Sequence, residues 1–343
     1  MKYRALVTAE VIKPMLEKFS DKIEFVYDGY CLDHDVMPQN ELSEKIGNYD
    51  ILICEYDTID ANVLKNAGNL KIILCCRGNV KSVIDLEAAK EKGIVICNNS
   101  GRNANAVSDM TLGYILDLTR NISLTNELIH SRTITTDVNS KPDEYADTVW
   151  GLDKDSPFIR YRGKSVNYMT LGLVGFGCAG RLVAKKANVF GMNIVAFDPF
   201  VDPSTVPDYV KMVSFDELLS LSDIVSLHCV VTPETKKMFN KDAFKKMKKG
   251  SYFINTARGE LVEEADMIEA LNNEHLAGAA IDVTFVEPIA SNSPLVDAKN
   301  LIITPHIAGS AYDVQVKGTE MLCDTLEDWL NGEATPRNCV VNK

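Results

Sequence analysis

The chain contains Leu-Gly-Leu-Val-Gly175-Phe-Gly177-Cys-Ala-Gly180, in which an apolar run of strand length ends in three spaced glycines. Ten residues with helical character follow, and a second apolar run, residues 193–197, ends at Asp198. Strand, glycine turn, helix, strand and terminal carboxylate in this order are typical of a βαβ unit in a parallel sheet. The stretch therefore predicts an α/β fold.

The three glycines predict a turn that binds the pyrophosphate of a dinucleotide. Gly175 permits a tight turn from strand to helix. Gly177 has no Cβ, so a pyrophosphate can approach the backbone, and Gly180 allows the helix to pack closely on its strand. The helix N-terminus adds free N–H groups and the positive end of the helix dipole.

Asp198 indicates which dinucleotide binds. It lies about 20 residues beyond the glycine turn, where a carboxylate binds the hydroxyls of the adenosine ribose. A 2′-phosphate would be repelled there, and Asp198 is followed by Pro199 and Phe200 rather than by an arginine. The sequence therefore predicts NAD rather than NADP as the cofactor.

The chain has 343 residues, of which 46% are hydrophobic and 24% are charged, so about two globular domains are expected. The formal net charge of −12 argues against a nucleic-acid binder. No apolar run approaches the roughly 20 residues that cross a bilayer. The N-terminus resembles an opening strand rather than a signal peptide. We expect a cytoplasmic protein that binds neither nucleic acid nor a membrane.

The cysteines and histidines do not predict a metal site. The nine cysteines form no C-x-x-C pair, and several of them lie in or beside apolar runs, namely Cys54, Cys75, Cys76 and Cys97. These are expected to be buried, reduced thiols of a cytosolic protein. The five histidines are scattered without the spacing of metal ligands.

Short apolar runs alternate with helical segments along most of the chain, as in parallel α/β sheets. The predicted strands are residues 3–8, 23–27, 50–54, 70–75, 94–97, 171–174, 193–197, 224–227, 252–255, 278–282 and 301–304. The predicted helices are residues 9–19, 41–46, 103–129, 215–221, 236–247, 263–271 and 311–331. The first hundred residues have no glycine motif of their own, so they are a candidate substrate domain.

Two segments around residue 130 differ from this alternation. The helix at 103–129 has broad apolar faces, which predicts burial between domains or against a partner subunit. Residues 131–165 are polar and turn-rich and are expected to form a surface excursion. Alternatively, Trp150, Phe158 and Tyr161 anchor this segment over a cleft or across a dimer.

Three polar segments follow strands in the second half, at the edge where open α/β sheets bind ligands. They are Asn255-Thr-Ala-Arg258, Asp282-Val-Thr-Phe-Val-Glu287 and Thr-Pro-His306. Arg258 can hold a carboxylate through two parallel N–H bonds. His306 can exchange a proton with a substrate oxygen, oriented by Glu287. This combination suits hydride transfer at the carbon of a 2-hydroxy acid, and Asp282 can accept a hydrogen bond from the nicotinamide amide.

The chain resembles the D-isomer-specific 2-hydroxyacid dehydrogenases over nearly its whole length, most densely across residues 171–310. The matching motifs are Gly-x-Gly-x-x-Gly with its Asp, Asn-Thr-Ala-Arg-Gly, Asp-Val-x-x-x-Glu-Pro and Pro-His-Ile-Ala-Gly. The resemblance implies an NAD-dependent oxidoreductase that transfers a hydride between NAD(H) and a small D-2-hydroxy acid or 2-keto acid. It also implies a homodimer built on the NAD-binding domains.

The resemblance assigns residues as well. It implies catalytic roles for Arg258, Glu287 and His306 and a nicotinamide contact for Asp282. The implied cofactor-binding positions are Gly175, Gly177, Cys178, Ala179, Gly180, Asp198, Cys229, Thr256, Ala257, Asp282 and Gly309.

The resemblance further implies two Rossmann-like domains, each a doubly wound parallel sheet. The substrate domain would be discontinuous, formed by residues 1–102 and 311–343 and closed by the C-terminal helix. The NAD-binding domain would comprise residues 103–310.

The predicted substrate loop departs from the family pattern. The family usually has Gly-x-Gly-Val here, whose amides bind the substrate carboxylate, whereas this chain has Cys-Arg77-Gly78-Asn79-Val80-Lys81. Four residues of this loop are taken as substrate-binding, namely Arg77, Gly78, Asn79 and Val80. Arg77 and Lys81 either contact an additional anionic group, such as a phosphate, or are solvated loop charges.

The leading hypothesis is an NAD-dependent dehydrogenase that acts on a small 2-hydroxy or 2-keto acid. D-3-phosphoglycerate dehydrogenase-type activity is the nearest alternative, supported by Arg77, Lys81 and the following Leu86-Glu-Ala-Ala. Formate oxidation fits less well, because it offers no hydroxyl proton to His306. An alternative from another class is a non-enzymatic NAD(H)-sensing corepressor.

Overall fold

The structure is a computed structural model that describes residues 2–135 and 154–341. It divides into two compact units. Unit 1 consists of residues 1–103 together with residues 310–343, and unit 2 consists of residues 104–309. The chain thus leaves unit 1 and returns to it after completing unit 2.

Strands and helices alternate in both units. The strands are β1 (Tyr3–Val7), β2 (Ile23–Tyr27), β3 (Ile51–Cys54), β4 (Ile72–Cys75), β5 (Val95–Asn98), β6 (Thr170–Val174), β7 (Asn193–Phe197), β8 (Val210–Met212), β9 (Ile224–Leu227), β10 (Ser251–Asn255), β11 (Leu276–Ile281), β12 (Leu301–Ile303) and β13 (Cys339–Val341). The helices are α1 (Lys13–Leu16), α2 (Tyr30–Asp33), α3 (Gln39–Lys45), α4 (Ala61–Lys65), α5 (Leu86–Glu91), α6 (Ala104–Arg120), α7 (Ile122–His130), α8 (Pro157–Arg160), α9 (Cys178–Val189), α10 (Phe215–Leu221), α11 (Lys241–Lys246), α12 (Glu264–Asn272) and α13 (Tyr312–Leu330).

The sheet of unit 1 has the strand order β13-β5-β4-β3-β1-β2. Neighbouring strands are parallel, except that β13 runs antiparallel to β5. Every residue of the central strands β3 and β4 is buried, as is usual for parallel strands that helices cover on both faces. On one face, Leu322 and Leu326 of α13 join the core.

The sheet of unit 2 has the strand order β12-β11-β10-β9-β6-β7-β8, with parallel neighbours throughout. The chain order reverses at β6, which lies between β7 and β9. Open α/β sheets bind ligands at the carboxyl ends of the strands beside such a reversal. The glycine turn follows β6, so the fold places it at this point and confirms the predicted α/β class.

Capping residues fix where two of the helices begin. Ser214 accepts a hydrogen bond from the N–H of Glu217, and the Glu217 carboxylate accepts one from the N–H of Ser214, so α10 begins with a capping box. Asn240 caps α11 by accepting from the first free N–H groups of that helix. The predicted helix at 236–247 is therefore too long, because helical structure begins only at Lys241.

Other predicted bounds are also wrong. Residues 103–129 form α6 and α7 rather than one helix, because Asn121 adopts a left-handed conformation with φ of 57° between them. Helical structure between residues 9 and 19 is confined to α1 and a short 3-10 turn. The sequence analysis missed the three-residue strands β8 and β13.

The predicted surface excursion at 131–165 lies partly outside the described residues, and Trp150 is among the residues not described. Within the described part, α8 exposes Phe158, and the carbonyl oxygen of Tyr161 accepts a hydrogen bond from Asn121 at 3.1 Å. Across residues 2–135 and 154–341, no helix has the length and apolar character needed to cross a membrane. In the same ranges, no group of His, Cys, Asp and Glu side chains is arranged to hold a metal ion.

Candidate active site

Three loops of unit 2 place the predicted catalytic side chains at the carboxyl edge of the sheet. Arg258 lies just after β10, Glu287 in the loop after β11 and His306 in the loop after β12. These strands are neighbours in the sheet, so their carboxyl ends are adjacent. The fold therefore groups residues that are far apart in sequence.

His306 and Glu287 form a hydrogen-bonded pair. The distance from His306 Nδ1 to Glu287 Oε2 is 2.7 Å, and both side chains are accessible to solvent. Because Nδ1 is bound to the carboxylate, Nε2 is left to face a substrate. An imidazole oriented by a carboxylate in this way can transfer a proton.

The backbone of His306 is left-handed, with φ of 57°, which is uncommon for residues other than glycine. Its N–H donates to the carbonyl oxygen of Asp282 at 2.7 Å. The Asp282 carboxylate, which is 1% exposed, accepts from the N–H of Ile307 at 2.8 Å and the N–H of Ala308 at 2.7 Å. Asp282 therefore holds the turn that carries the imidazole.

Two hydroxyl groups extend this network to α6. The hydroxyl of Thr304 donates to Asp282 Oδ1. Because an ionised carboxylate only accepts, the threonine proton is committed to it, and the Tyr114 hydroxyl donates to the Thr304 oxygen. Burial raises the pKa of Tyr114 to about 12, so the phenol keeps its proton near neutral pH. The sequence analysis missed both residues, because no sequence pattern links α6 to the loop after β12.

Asn255 shapes the turn that carries Arg258. Its side-chain oxygen accepts from the N–H of Ala257 at 3.0 Å, and its amide donates to the carbonyl oxygen of Arg258 at 2.9 Å. Arg258 is exposed, and its Nη1 donates to the carbonyl oxygen of Ala257 at 2.6 Å. A guanidinium has several other N–H donors, which can bind a carboxylate.

Gly259 allows the turn of Arg258 to contact the loop of Glu287. A Cβ at Gly259 would lie 2.2 Å from the carbonyl carbon and oxygen of Thr284. The N–H of Thr284 in turn donates to Glu287 Oε1 at 3.2 Å. The Arg-Gly dipeptide thus has a structural reason that the sequence analysis missed: only glycine permits this close approach.

The glycine turn after β6 fits a dinucleotide pyrophosphate. Gly175 has φ of 96°, and a Cβ there would lie 2.6 Å from the backbone nitrogen of Cys229. A Cβ at Gly180 would lie 2.3 Å from the Gly175 carbonyl oxygen. By contrast, no described atom lies within 4 Å of a Cβ added at Gly177. Protein therefore fills the space at two of the glycines, and the space at Gly177 is open for a phosphate.

Asp198 lies beside this turn at the end of β7. Its Oδ2 accepts from the N–H of Phe176 at 2.8 Å, and its Oδ1 accepts from the N–H of Phe200 at 2.9 Å. The carboxylate is thereby fixed in place, with further acceptor positions for ribose hydroxyls. The residues present therefore fit NAD.

The loop after β9 lies against the glycine turn. His228 Nε2 is 2.9 Å from the Ser226 hydroxyl, and burial lowers the pKa of His228 to about 4. The ring is therefore neutral near pH 7 and is poorly suited to donate a proton to a substrate. Burial also raises the pKa of Cys229 to about 11, so this residue is a neutral thiol beside the predicted cofactor position.

The remaining predicted cofactor-binding residues lie in unit 2 as well. Cys178 and Ala179 begin α9, and Gly309 is the last residue of the unit. The hydroxyl of Thr256 lies 3.2 Å from that of Thr111, so this side chain is buried against α6. Their contacts with a cofactor stay predictions, as does the nicotinamide contact of Asp282, whose carboxylate can accept one further bond.

The predicted substrate loop belongs to unit 1 and follows β4. Gly78 and Asn79 are exposed, whereas Val80 is buried in the core of the unit, so only its main chain can contact a ligand. The Arg77 guanidinium lies 5.0 Å from the centroid of the Tyr56 ring, a cation–π arrangement. Substrate binding by these residues stays a prediction.

The part of the chain that carries the glycine turn and the three loops also matches a known family. The match covers residues 112–308, and the matching description is "D-isomer specific 2-hydroxyacid dehydrogenase, NAD binding domain". The chain belongs to this family. It is therefore a dehydrogenase with an NAD-binding domain, as the sequence motifs predict.

Relatives of this dehydrogenase cover nearly its whole length. It is 31% identical to a hydroxypyruvate reductase of Blautia hydrogenotrophica over 318 residues, 92% of each chain. It is 34% identical to a glyoxylate reductase of Thermofilum pendens over 310 residues, 89% of this chain and 85% of the relative. The crystal structure of the TT0316 protein from Thermus thermophilus is similar with a TM-score of 0.75 and 32% identity, covering 98% of this chain and 100% of that one.

The glycine turn generates a paired prediction. Gly177→Ala is expected to weaken NADH binding by at least about tenfold, because the methyl group occupies the space a pyrophosphate needs. Its melting temperature should be unchanged, since nothing in the protein meets that methyl group. Gly180→Ala should lower the melting temperature, because its Cβ overlaps the Gly175 carbonyl. Fluorescence titration and thermal unfolding measure the two effects; wild-type NADH affinity in Gly177→Ala would contradict the assignment.

The network around Asp282 generates a second prediction. Thr304→Val preserves shape but removes the hydroxyl that connects Tyr114 to Asp282, so the turn of His306 should lose its fixed position. Turnover of a 2-keto acid with NADH should fall by roughly ten- to a hundredfold, as for misplaced catalytic groups, while NADH affinity is retained. Thr119→Val is the matched control, because that buried hydroxyl bonds the carbonyl of Ile115 on α6. Equal turnover in the two variants would contradict the prediction.

Proposed function

We propose that this dehydrogenase reduces a small 2-keto acid to the D-2-hydroxy acid with NADH and catalyses the reverse oxidation with NAD. The observation that carries the proposal is the 2.7 Å hydrogen bond between His306 and Glu287. The loop of Glu287 also contacts the turn of Arg258. A proton donor held by a carboxylate, next to an arginine, suits the reduction of a carbonyl that adjoins a carboxylate.

Each of the three side chains has a separate role. His306 donates a proton from Nε2 to the carbonyl oxygen during reduction and accepts it from the hydroxyl during oxidation. Glu287 accepts a hydrogen bond from Nδ1 and stabilises the protonated ring. Arg258 binds the substrate carboxylate and polarises the adjacent carbonyl. Bound NAD(H) supplies or accepts the hydride.

The two units divide the work in this proposal. Unit 2 binds NAD through the glycine turn and Asp198, and unit 1 contributes the substrate loop, residues 77–80. The relatives named as hydroxypyruvate reductase and glyoxylate reductase support a short 2-keto acid as the substrate.

Phosphorylated acids are a second candidate substrate class, favoured by Arg77. Its guanidinium stacks on Tyr56, and among the described residues no carboxylate forms an ion pair with it. Lys81 is exposed in the same loop. Two cations in one loop are suited to a phosphate at the far end of a three-carbon acid.

We also propose a cytoplasmic homodimer built on unit 2. All nine cysteines lie in the described part of the chain, and all are free thiols there, which supports a reducing compartment. In the described structure, α7 has no buried residue, and it exposes Ile122 and Ile129, which lie on one face of the helix. Apolar side chains left exposed on one helix support a partner subunit at this surface.

The activity is tested by following NADH oxidation with glyoxylate, pyruvate, hydroxypyruvate and phosphohydroxypyruvate. We expect turnover with at least one of these acids and a loss of roughly 10²–10⁴-fold in His306→Asn, the usual contribution of an acid–base group. Asparagine is chosen because it tolerates a left-handed backbone. His34→Asn is the matched control, because His34 is also exposed and has φ of 66°.

The same assay separates the alternatives. Preference for phosphohydroxypyruvate over hydroxypyruvate, lost in Arg77→Ala, would establish the phosphorylated substrate class. Unchanged turnover in His306→Asn would contradict the proton-donor role. NADH binding without turnover on any of the acids would instead favour the NAD(H)-sensing corepressor.

The dimer is tested by two variants, each of which introduces a negative charge on one of two opposite faces of α7. Ile129 lies seven residues from Ile122 and therefore on the same helix face, whereas Leu124 lies on the opposite face. Ile129→Asp is expected to convert the dimer to a monomer in sedimentation velocity, because burying an unpaired charge is costly. Leu124→Asp should stay dimeric. A dimer in both variants would place the interface elsewhere.

A further inference from the structure

Two cysteines that the proposed chemistry does not use face each other at the edge of the unit 1 sheet. Cys97 in β5 and Cys339 in β13 are opposite partners of the antiparallel pair, in which the register shifts between Cys339 and Val341. Cys97 is buried and Cys339 is partly exposed on the edge strand. Cys339 is therefore the residue of the pair that is partly accessible to solvent.

The hydrogen-bond pattern shows which kind of pair this is. The N–H of Asn98 donates across to the carbonyl oxygen of Asn338 at 2.9 Å, whereas the N–H of Val95 donates to Lys71 on the β4 side. Peptide groups alternate along a strand, so those of Cys97 also point toward β4. The N–H of Cys339 bonds Pro336 instead of β5. Cys97 and Cys339 thus form a non-hydrogen-bonded pair, in which Cα atoms lie about 4.5 Å apart and side chains are closest.

That spacing falls within the range that a disulfide bridges, about 4.4–6.8 Å between Cα atoms. Both side chains also point to the same face of the sheet, where they join one apolar cluster with Leu322 and Leu326 of α13. The Cys339 thiol donates a hydrogen bond to the carbonyl oxygen of Val341 at 3.2 Å. Burial raises the pKa of both thiols, so they are expected to react slowly at neutral pH.

A second cysteine pair provides an internal comparison. Cys54 and Cys75 are opposite partners in the parallel strands β3 and β4. Both are fully enclosed in the opposite core of unit 1, where a dissolved oxidant has no access. Of the two pairs, only the one at the sheet edge includes a partly exposed cysteine.

We propose that Cys97 and Cys339 are a modification site that a low-molecular-weight disulfide, such as oxidised glutathione, converts to a cross-strand disulfide. The thiolate of Cys339 attacks one sulfur of the oxidant, whose S–S bond breaks and releases one glutathione thiol. The thiolate of Cys97 then attacks Cys339 Sγ and displaces the second glutathione. Two protein thiols are oxidised, one glutathione disulfide is reduced, and both protons end on the released thiols.

The disulfide would link the edge strand β13 covalently to β5. The segment before β13 is held to α13 by the ion pair between Arg337 and Asp328 at 2.7 Å. The disulfide would add a bond to β5, one residue before Asn98. The side chain of Asn98 donates to the carbonyl oxygen of Gly78 at 2.8 Å, in the predicted substrate loop. The modification would therefore fix the strand that supports this loop.

Peptide mapping tests the proposal on the intact protein. The folded protein is incubated with oxidised glutathione and then denatured at neutral pH in an excess of alkylating reagent, which blocks the remaining thiols. Trypsin then cuts after Lys92, Arg102 and Arg337. We expect a disulfide-linked peptide that joins residues 93–102 to residues 338–343. Reduction should separate it into the two peptides. The protein should migrate as a monomer on a non-reducing denaturing gel. Residues 46–65 and 72–77, which carry Cys54 and Cys75, should be recovered alkylated.

Cys339→Ser provides the matched control, and it should lack the linked peptide while Cys97 is recovered alkylated. Three results, each observed with the wild-type protein, would overturn the proposal. They are recovery of both Cys97 and Cys339 as alkylated thiols, recovery of Cys339 only as a stable glutathione adduct, and a link of Cys97 to any other cysteine. The mapping does not depend on turnover, so its outcome is independent of the proposed activity.

Discussion

The candidate active site depends on the hydrogen bonds of one buried carboxylate. Burying a carboxylate is costly unless it is fully hydrogen-bonded, and Asp282 finds its partners in the hydroxyl of Thr304 and the N–H groups of Ile307 and Ala308. The same bonds force the chain into a tight turn, in which His306 takes a left-handed conformation. The imidazole reaches Glu287 because of this turn. The bonds that satisfy the Asp282 carboxylate therefore also fix the position of His306, the proposed proton donor. The strain at His306 persists because the network around it offsets its cost.

Close contact between backbones is the second constraint, and glycine makes it possible in both halves of the site. Gly259 brings the turn of Arg258 against the backbone of Thr284, and Gly180 brings α9 against the carbonyl of Gly175. Gly177 differs from both, because the space beside it is open. The proposed catalytic loops and the predicted cofactor turn therefore use the same property of glycine, once to pack protein on protein and once to leave open space beside the backbone.

Sequence reasoning succeeded where the signal is local. An apolar run of four or five residues, a glycine triplet and a carboxylate at the next strand end lie within about 30 residues of each other, which is the size of one βαβ unit. The sequence analysis failed where the deciding contact is distant or the element is too short. The break at Asn121 leaves the apolar pattern of the helix intact, so periodicity does not reveal it. The strands β8 and β13 are defined by their neighbours in the sheet rather than by their own residues.

The sequence by itself determined the α/β class, the dinucleotide turn with Asp198, and the grouping of Arg258, Glu287 and His306 at strand ends. It could do so because parallel strands align their carboxyl ends whatever the loops contain. Only the tertiary structure decided which groups hold those side chains in place. The bond from Tyr114 to the loop after β12 joins residues 190 positions apart. The pairing of Cys97 with Cys339 of β13 joins residues that are still further apart in the chain. Such contacts depend on how helices and strands pack, and packing leaves no periodic pattern in the chain.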